Sequence, residues 1–212
     1  MNDNINDREK LPERGYKFLK GILGWFFKFW YNPKVYGSEN IPKTGPILVT
    51  ANHKHIMDQC NIIVKTNRVI HYMAKREYFD GKLAWFFKMA GCISVDRKIH
   101  DDTAKDAAIR TLKQGRAVGL FPEGTRNKTD AFLLPFKFGA VSMAEKTDAY
   151  LVPVGISGEY KFRSKNLRIY IGKPFKVGKM TLEEANKRLE KEIGNLIRKG
   201  QKETKRKKIS HT

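Results

Sequence analysis

The sequence predicts an α/β fold, a single domain with a mostly parallel or mixed sheet flanked by helices, preceded by an amphipathic helix at a membrane interface. Short apolar runs typical of buried strands alternate with amphipathic segments of helical periodicity, the pattern of strand–helix–strand units. The chain has 212 residues, of which 41% are hydrophobic and 30% charged. That length and composition suit one folded domain with its own core.

The first segment, residues 1–33, combines a polar terminus with a predicted helix over Tyr16–Tyr31 that an Asn-Pro pair ends. On a helical wheel Lys17, Lys20 and Lys28 share one sector of about 100° with two glycines, and aromatic and aliphatic residues fill the rest. A helix of this length spans about 24 Å, less than the ~30 Å hydrocarbon core of a bilayer. We therefore expect it to lie in the membrane interface; the alternative is a core helix whose lysines reach the surface.

The second segment, residues 34–197, carries the alternation of strands and helices. Strands are predicted at Ile47–Ala51, Val69–Ala74, Cys92–Val95, Ala117–Phe121, Tyr150–Ile156 and Leu167–Ile171. Helices are predicted at Met57–Lys65, Tyr78–Met89, from an Asp101-Asp102-Thr103 cap to Lys113, at Phe138–Lys146 and at Leu182–Ile197. The last segment, residues 198–212, is a basic tail, which is typically solvated and can also be attracted to an anionic leaflet.

The charge balance is strongly basic, with a net charge of +20 and a pI near 9.9. Such a surplus favours an anionic partner: nucleic acid, an anionic membrane surface or a phosphorylated ligand. Acidic residues are interleaved with the basic ones, and neither an RNA-binding aromatic signature nor zinc-finger spacing is present, so we expect no nucleic-acid partner. Cys60 and Cys92 lie in apolar stretches without metal-ligand spacing, which predicts buried thiols in a reducing compartment. No signal-peptide pattern is found.

Polar motifs follow four successive predicted strands at the point where each strand ends. They are His53 to Asp58, Lys75, Asp96-Arg97, and Glu123 to Arg126. The carboxyl ends of parallel strands share one edge of a sheet, where open α/β folds bind their ligands. Two arginines and a lysine there suit a phosphate group, so an anionic substrate with a hydroxyl near its phosphate fits the set. The alternative is that the arginines form structural ion pairs with Asp96 and Glu123.

His53 and Asp58 lie five residues apart, directly after the strand Ile47–Ala51. On a regular helix of ~3.6 residues per turn their side chains would diverge, but a turn between strand and helix can bring them together. A carboxylate on one ring nitrogen fixes the histidine tautomer and leaves the other nitrogen free to take a proton. The hydroxyl to be activated can then belong to the substrate. The alternative is that His53 caps the helix and Asp58 is solvated.

Four motifs, in this order and spacing, resemble the glycerolipid acyltransferase family. They are Asn52-His53-x4-Asp58, Gly91 to Arg97, Phe121 to Arg126, and Val152 to Ile156, and the resemblance covers about residues 35–175. It implies that His53 is the general base and Asp58 its orienting partner. It also implies a substrate-binding group for glycerol phosphate, made of Lys75, Arg97, Glu123, Gly124, Thr125 and Arg126. One residue departs from the pattern: His55 replaces a serine that the family often has, and its imidazole can share protons with Asp58 or face solvent.

The resemblance further implies the reaction. A fatty acyl group passes from acyl-CoA or acyl-carrier protein to the 2-hydroxyl of lysophosphatidic acid and gives phosphatidic acid, without a cofactor or a metal. Backbone N–H groups near the base or in the Glu123–Gly124 turn are expected to bind the oxyanion. The expected partners are membrane lipids and the two substrates, at the cytoplasmic face, with the protein peripheral or monotopic. Glycerol-3-phosphate or another lysophospholipid is the alternative acceptor, and an inactive membrane-surface module or a nucleic-acid binder is the alternative outside enzymes.

Overall fold

A computed structural model describes residues 13–96 and 102–209 of the chain. In these residues seven strands form one sheet: β1 (Lys34–Tyr36), β2 (Ile47–Ala51), β3 (Ile70–Lys75), β4 (Ile93–Val95), β5 (Ala117–Leu120), β6 (Tyr150–Ser157) and β7 (Arg168–Ile171). The helices are α1 (Glu13–Tyr31), α2 (Asp58–Ile63), α3 (Glu77–Asp80), α4 (Ala84–Met89), α5 (Asp102–Lys113), α6 (Gly139–Thr147) and α7 (Leu182–Ile209). The predicted α/β domain is confirmed.

The sheet is mixed, with the strand order β1-β7-β6-β2-β5-β3-β4. Strands β6, β2, β5, β3 and β4 are parallel neighbours. Strand β7 is antiparallel to β6, and β1 runs parallel to β7. The carboxyl ends of the five parallel strands therefore lie at one edge of the sheet, which is called the carboxyl edge below.

The structure departs from the sequence prediction at three elements. Strand β1 is not predicted, because its three residues owe their conformation to pairing with β7. The helix predicted at Tyr78–Met89 is two short helices, α3 and α4, separated at Gly81. Helix α7 continues beyond Ile197 through the basic stretch to Ile209. The helix continues there because it packs against the sheet: the Cα of Gly200 approaches Ser157 so closely that a Cβ would lie 2.1 Å from Oγ.

Helices cover both faces of the sheet. On one face, α5, α6 and α7 bury a cluster that includes Leu48, Leu151 and Leu189. On the other face the cluster includes Ile62 of α2, and Tyr31 of α1 and Cys92 directly after α4 pack against it. Connections between parallel strands are normally right-handed, so the face that a connecting helix covers depends on the direction in which the chain moves along the sheet. The chain moves in one direction from β2 through β3 to β4, and in the other direction through β5 to β6. The helices of these two parts therefore cover opposite faces. Helices α1 to α4 therefore form one layer.

Helix α1 lies on the domain through one narrow stripe of its surface. The Tyr16 hydroxyl accepts a hydrogen bond of 3.3 Å from the N–H of Ile70 at the start of β3, and Lys20 donates to the carbonyl oxygen of Thr66. Phe27 is buried, with 1% of its surface exposed, which contributes about 1.5–3 kcal/mol. The helical wheel places Lys20 in one sector with Lys17 and Lys28, which are exposed. In the structure the side chain of Lys20 instead points toward the domain and donates to Thr66.

The opposite side of α1 is apolar and open. Seven of its large apolar side chains are 41–68% exposed: Phe18, Ile22, Leu23, Trp25, Phe26, Phe29 and Trp30. A core helix would bury these side chains, so the alternative of a core helix is wrong. Among the helices within residues 13–96 and 102–209, none is both long enough and apolar enough to cross a bilayer.

Substitution of Gly155 by alanine should destabilise the fold. A Cβ on Gly155 would lie 2.5 Å from Leu196 Cβ and 2.6 Å from the backbone nitrogen of Ile197, so α7 would have to move off β6. We expect a loss of about 1–3 kcal/mol in the free energy of unfolding, measured by urea denaturation. Gly21→Ala is the matched control, because a Cβ at that position would have no atom within 4 Å. Equal midpoints for Gly155→Ala and wild type would contradict the close packing.

Candidate active site

The carboxyl edge brings the loops after β2 and β5 together, since these strands are neighbours with Thr50 opposite Leu120. Two short hydrogen bonds join the loops. The N–H of His53 donates to Glu123 Oε1 at 2.7 Å, and the N–H of Asn127 donates to the carbonyl oxygen of His53 at 2.7 Å. The main chain of His53 is therefore held on both sides by the loop that follows β5.

His53 and Asp58 form a buried pair. His53 Nδ1 lies 2.9 Å from Asp58 Oδ2, and Asp58 has no exposed surface. The chain turns around this carboxylate: the N–H groups of Lys54 and His55 donate to the same Oδ2 at 2.7 and 2.8 Å. The turn between strand and helix thus brings the two side chains together, and the alternative of a solvated Asp58 is wrong.

The imidazole of His53 is packed as well as hydrogen-bonded. Its ring stacks on Phe121, with ring centroids 3.9 Å apart and an angle of 10° between the planes. Phe121 in turn lies on Tyr72 of β3, with centroids 5.9 Å apart. With Nδ1 bound to Asp58, Nε2 is the nitrogen available for proton transfer.

Tyr160 is a site residue that the sequence analysis missed. Its hydroxyl donates to Asp58 Oδ1 at 2.6 Å and accepts a hydrogen bond from Asn61 Nδ2. Burial and the charge of Asp58 raise the pKa of Tyr160 well above its usual range, so the hydroxyl stays protonated and remains a donor. One signal was available: Tyr160 follows β6, and the carboxyl end of β6 lies at the same edge as His53.

His55 does not compete with His53 for the carboxylate. Its ring stacks on Tyr160 with centroids 4.2 Å apart, and its Nδ1 accepts a hydrogen bond of 3.3 Å from the N–H of Met57. Burial lowers the pKa of His55; Arg126 and His53 lower it further, and Asp58 opposes them. The lowered pKa favours the neutral form of the His55 ring, and the residue donates to Asp58 through its backbone N–H.

Glu123 is held by main-chain groups. Its Oε1 accepts from the N–H of His53 at 2.7 Å and its Oε2 from the N–H of Leu134 at 2.8 Å, and only 3% of the residue is exposed. Burial raises the pKa of Glu123, while these two hydrogen bonds oppose the shift. The resemblance implies a substrate contact for this residue, and the alternative is an ion pair with Arg126. In the structure Glu123 connects His53 and Leu134 through their main-chain N–H groups, and its contact with substrate stays a prediction.

The other predicted substrate-binding residues are distributed around this edge. Gly124 has a φ of 71°, and a Cβ there would lie 2.9 Å from Lys137 Cε. Thr125 is exposed, and Arg126 is half-buried, near enough to His55 for its charge to act on that ring. Lys75 ends β3 and is exposed, with its Nζ 3.9 Å from Glu77 Oε1. Arg97 lies outside the described residues.

The expected oxyanion donors are already engaged. The N–H groups of His53, Lys54 and His55 donate to the two buried carboxylates, and the N–H of Gly124 donates to the carbonyl oxygen of Phe121 at 3.0 Å. These four N–H groups have intramolecular acceptors in the structure, and the identity of the oxyanion donors stays a prediction. The N–H groups of Lys54 and His55 hold the Asp58 carboxylate, and the N–H of His53 holds that of Glu123.

Neither cysteine is suited to act as a nucleophile. Both are free thiols, and burial raises the pKa of Cys60 and of Cys92 to about 12. The thiols are therefore protonated near neutral pH, whereas the thiolate is the reactive form. Within residues 13–96 and 102–209, no group of three or more His, Cys, Asp or Glu side chains is arranged to hold a metal ion.

Comparison with known proteins decides the family. Residues 32–157, more than half of the chain, match the family described as Acyltransferase. The chain belongs to the acyltransferase family. The matched range runs from the end of α1 to the end of β6 and includes His53, Asp58 and Glu123. Tyr160 lies just beyond it.

Several relatives and one solved structure extend this result. The acyltransferase is 33% identical over 165 residues to the 1-acyl-sn-glycerol-3-phosphate acyltransferase of Bacillus subtilis, covering 75% of this chain and 81% of that protein. It is 34% identical over 143 residues to the alpha enzyme of that name from Mus musculus, covering 64% and 48%. The crystal structure of the 1-acyl-sn-glycerophosphate (LPA) acyltransferase PlsC from Thermotoga maritima superposes with a TM-score of 0.73 at 28% identity, covering 92% and 83%.

Replacement of Tyr160 by phenylalanine should slow acyl transfer. The variant keeps the ring that stacks on His55 but removes the hydroxyl that donates to Asp58. The carboxylate then loses one of the hydrogen bonds that hold its orientation. A hydrogen bond to a charged group contributes about 1.5–3 kcal/mol, which corresponds to a fall of roughly tenfold or more in kcat. KM should change little, because Tyr160 acts through Asp58.

The matched control is Tyr150→Phe at the opposite end of β6, where the ring contacts Lys176. This variant should keep wild-type kcat. Equal kcat values for Tyr160→Phe and Tyr150→Phe would show that the hydroxyl of Tyr160 does not orient the pair.

Proposed function

We propose that the protein transfers a fatty acyl group from acyl-CoA or acyl-carrier protein to the 2-hydroxyl of lysophosphatidic acid, giving phosphatidic acid, with His53 as general base. The observation that carries the proposal is the buried His53–Asp58 pair, with Nδ1 bound at 2.9 Å and Nε2 left for the substrate. The two relatives from Bacillus subtilis and Mus musculus, which bear the name of this activity, support the choice of acceptor.

The proposed chemistry is direct transfer. Nε2 of His53 takes the proton of the acceptor hydroxyl as its oxygen attacks the carbonyl carbon of the thioester, and a tetrahedral oxyanion forms. The oxyanion collapses, the carbon–sulfur bond breaks, and the thiolate receives the proton from the imidazolium. Asp58 stabilises the imidazolium through its contact with Nδ1, which is the role of the carboxylate in serine-hydrolase triads. Proton transfer by a positioned side chain contributes about 10²–10⁴-fold to the rate.

The acceptor's phosphate has cationic side chains to bind to. Arg126 lies near His55 beside the catalytic pair, Lys75 lies at the end of β3, and Arg97 follows β4 in sequence. A guanidinium can bind a phosphate with two parallel hydrogen bonds, and a lysine adds a point charge. Glycerol-3-phosphate and other lysophospholipids share the hydroxyl and the phosphate, so they are the alternative acceptors.

Association with a membrane surface is part of the proposal. Both substrates that carry acyl chains partition into lipid, and the open side of α1 offers Trp25, Phe26 and neighbouring apolar side chains to it. Lys17 and Lys28 on the same helix can contact anionic head groups, which fits the net charge of +20. The proposed location is the cytoplasmic face of the membrane, with the protein peripheral or monotopic.

Replacement of His53 by alanine should abolish turnover, and replacement of His55 should not. The assay follows thiol release in lipid vesicles from acyl-CoA, and in a parallel arm from acyl-carrier protein, with lysophosphatidic acid as acceptor. His53→Ala should lose about 10²–10⁴-fold in kcat, whereas His55→Ala should stay within about tenfold of wild type because its ring binds no group of the pair.

The outcomes of this assay separate the parts of the proposal. Turnover by wild type with phosphatidic acid as product supports the reaction. Turnover only with glycerol-3-phosphate or another lysolipid would reassign the acceptor. An inactive His55→Ala beside an active His53→Ala would move the base to His55.

Polar substitutions on the open side of α1 should weaken vesicle binding without unfolding the domain. Ile22 and Phe26 are 55% and 50% exposed one turn apart, so the double variant Ile22→Ser, Phe26→Ser removes apolar area and leaves Phe27 in place. We expect a loss of at least about tenfold in the vesicle partition coefficient, measured by sedimentation.

Phe138→Ser is the matched control, since Phe138 is 46% exposed at the start of α6 on the other face of the sheet. If the α1 variant sediments as wild type does, α1 is not the membrane contact.

A further inference from the structure

A second exposed apolar surface lies outside α1, in the connection between β3 and β4. Leu83 and Trp85 are each 58% exposed, which makes them as open as the side chains of α1. Trp85 belongs to α4, and Leu83 directly precedes that helix. The catalytic pair and the proposed phosphate site use neither residue, so their exposure has no role in the function described above.

Aromatic side chains of α3 and α4 pack against one another beneath Trp85. Phe87 of α4 stacks on Tyr78 of α3 with centroids 4.9 Å apart and packs against Phe79 at 5.8 Å. Phe86 contacts Phe87 at 5.4 Å and meets Trp85 edge-on at 6.1 Å. An aromatic cluster therefore fixes the helix, while the outermost ring stays in the open.

Helix α4 lies in the same layer of the protein as α1. Tyr31 of α1 and Cys92, just after α4, pack against one apolar cluster on one face of the sheet. Ile56 and Phe162, two more exposed apolar side chains, follow the carboxyl ends of β2 and β6. Phe162 contacts Phe29 and Trp30, so the apolar surface of α1 continues at the carboxyl edge, and α4 carries a further exposed apolar surface in the same layer.

The charges around Trp85 indicate what covers it. Lys82 and Lys88 lie three residues before and after it, and both are exposed. Tryptophan flanked by lysines is typical of segments at the boundary between lipid head groups and acyl chains. An acidic head group complements these two lysines and the net charge of +20.

We propose that Leu83 and Trp85 form a second membrane contact, which inserts into an anionic bilayer together with α1. The inference rests on the membrane association proposed above. With two contacts in one layer, the protein is held on the lipid surface in a fixed orientation, because rotation about the axis of α1 would lift Trp85 out of the membrane. The carboxyl edge, with His53, then stays at the lipid surface.

The chain has three tryptophans, Trp25, Trp30 and Trp85, which permits a direct test. In the variant Trp25→Phe, Trp30→Phe, the only tryptophan is Trp85, and α1 keeps an aromatic ring at both positions. Its fluorescence is recorded with vesicles of phosphatidylcholine and phosphatidylglycerol, with and without bromine on the acyl chains. The matched control, Trp30→Phe, Trp85→Phe, retains only Trp25.

We expect the emission of Trp85 to shift to shorter wavelength on vesicle addition and to be quenched by brominated lipid, as is that of Trp25. If Trp25 responds and Trp85 does not, the second contact is wrong and the role of α1 stands. If only Trp85 responds, the second contact holds and the assignment of α1 fails. If neither responds although wild type has its lipid-dependent activity, both membrane contacts are wrong.

Sedimentation supplies an independent measurement. The variant Leu83→Ser, Trp85→Ser should partition into the same vesicles about tenfold less than wild type, while its melting temperature stays unchanged because both side chains are exposed. An unchanged partition coefficient would overturn the proposal.

Discussion

A buried carboxylate needs hydrogen-bond donors, and the site is arranged around that need at Asp58. Its Oδ2 accepts from the N–H groups of Lys54 and His55 and contacts His53 Nδ1, and its Oδ1 accepts from the Tyr160 hydroxyl. An unpaired buried charge would cost several kcal/mol, so the donors must stay in place whenever the domain is folded. The loop after β2 and the loop after β6 are therefore fixed by one side chain, and the orientation of the imidazole follows from it.

Glu123 is a second buried carboxylate that accepts hydrogen bonds from main-chain N–H groups, and it reaches His53 from the loop after β5. Its two oxygens bind the main chain of His53 and of Leu134, so His53 is held through its side chain by one buried carboxylate and through its backbone by another. This division has a consequence for the chemistry. The N–H groups of His53, Lys54 and His55 already donate to the two carboxylates, so in the proposed reaction other donors at this edge, such as the side chain of Arg126, would stabilise the negative tetrahedral oxygen.

The local sequence predicts which strands carry His53 and Glu123, but it does not predict the contact of Tyr160 or the end of α7. Apolar runs locate β2 and β5 because buried strands read as continuous hydrophobic segments, and the parallel sheet then requires that His53 and Glu123 share an edge. The position of Tyr160 after a predicted strand places it at the same edge as His53, but its contact with Asp58 also depends on β6 being the neighbour of β2, which no local pattern specifies. The sequence predicts the end of α7 at Ile197 because the residues that follow are mostly basic, which is typical of a solvated tail. In the structure this part of the helix packs on the sheet: Gly200 lets it approach β6, and Thr204 accepts a hydrogen bond from the buried Arg168.

The contacts of α1 connect the His53–Asp58 pair to the surface proposed to bind lipid. The ring of Tyr31, the last residue of α1, meets Tyr160 edge-on at 5.4 Å and His55 at 6.1 Å. Beyond Tyr160 the same loop places Phe162 against Trp30 at 4.9 Å. The loop that orients Asp58 is thus packed on the end of the exposed helix. If α1 lies in lipid as proposed, an acceptor with its acyl chain in the membrane exposes its hydroxyl at the head-group level, and this packing sets the distance between that level and His53.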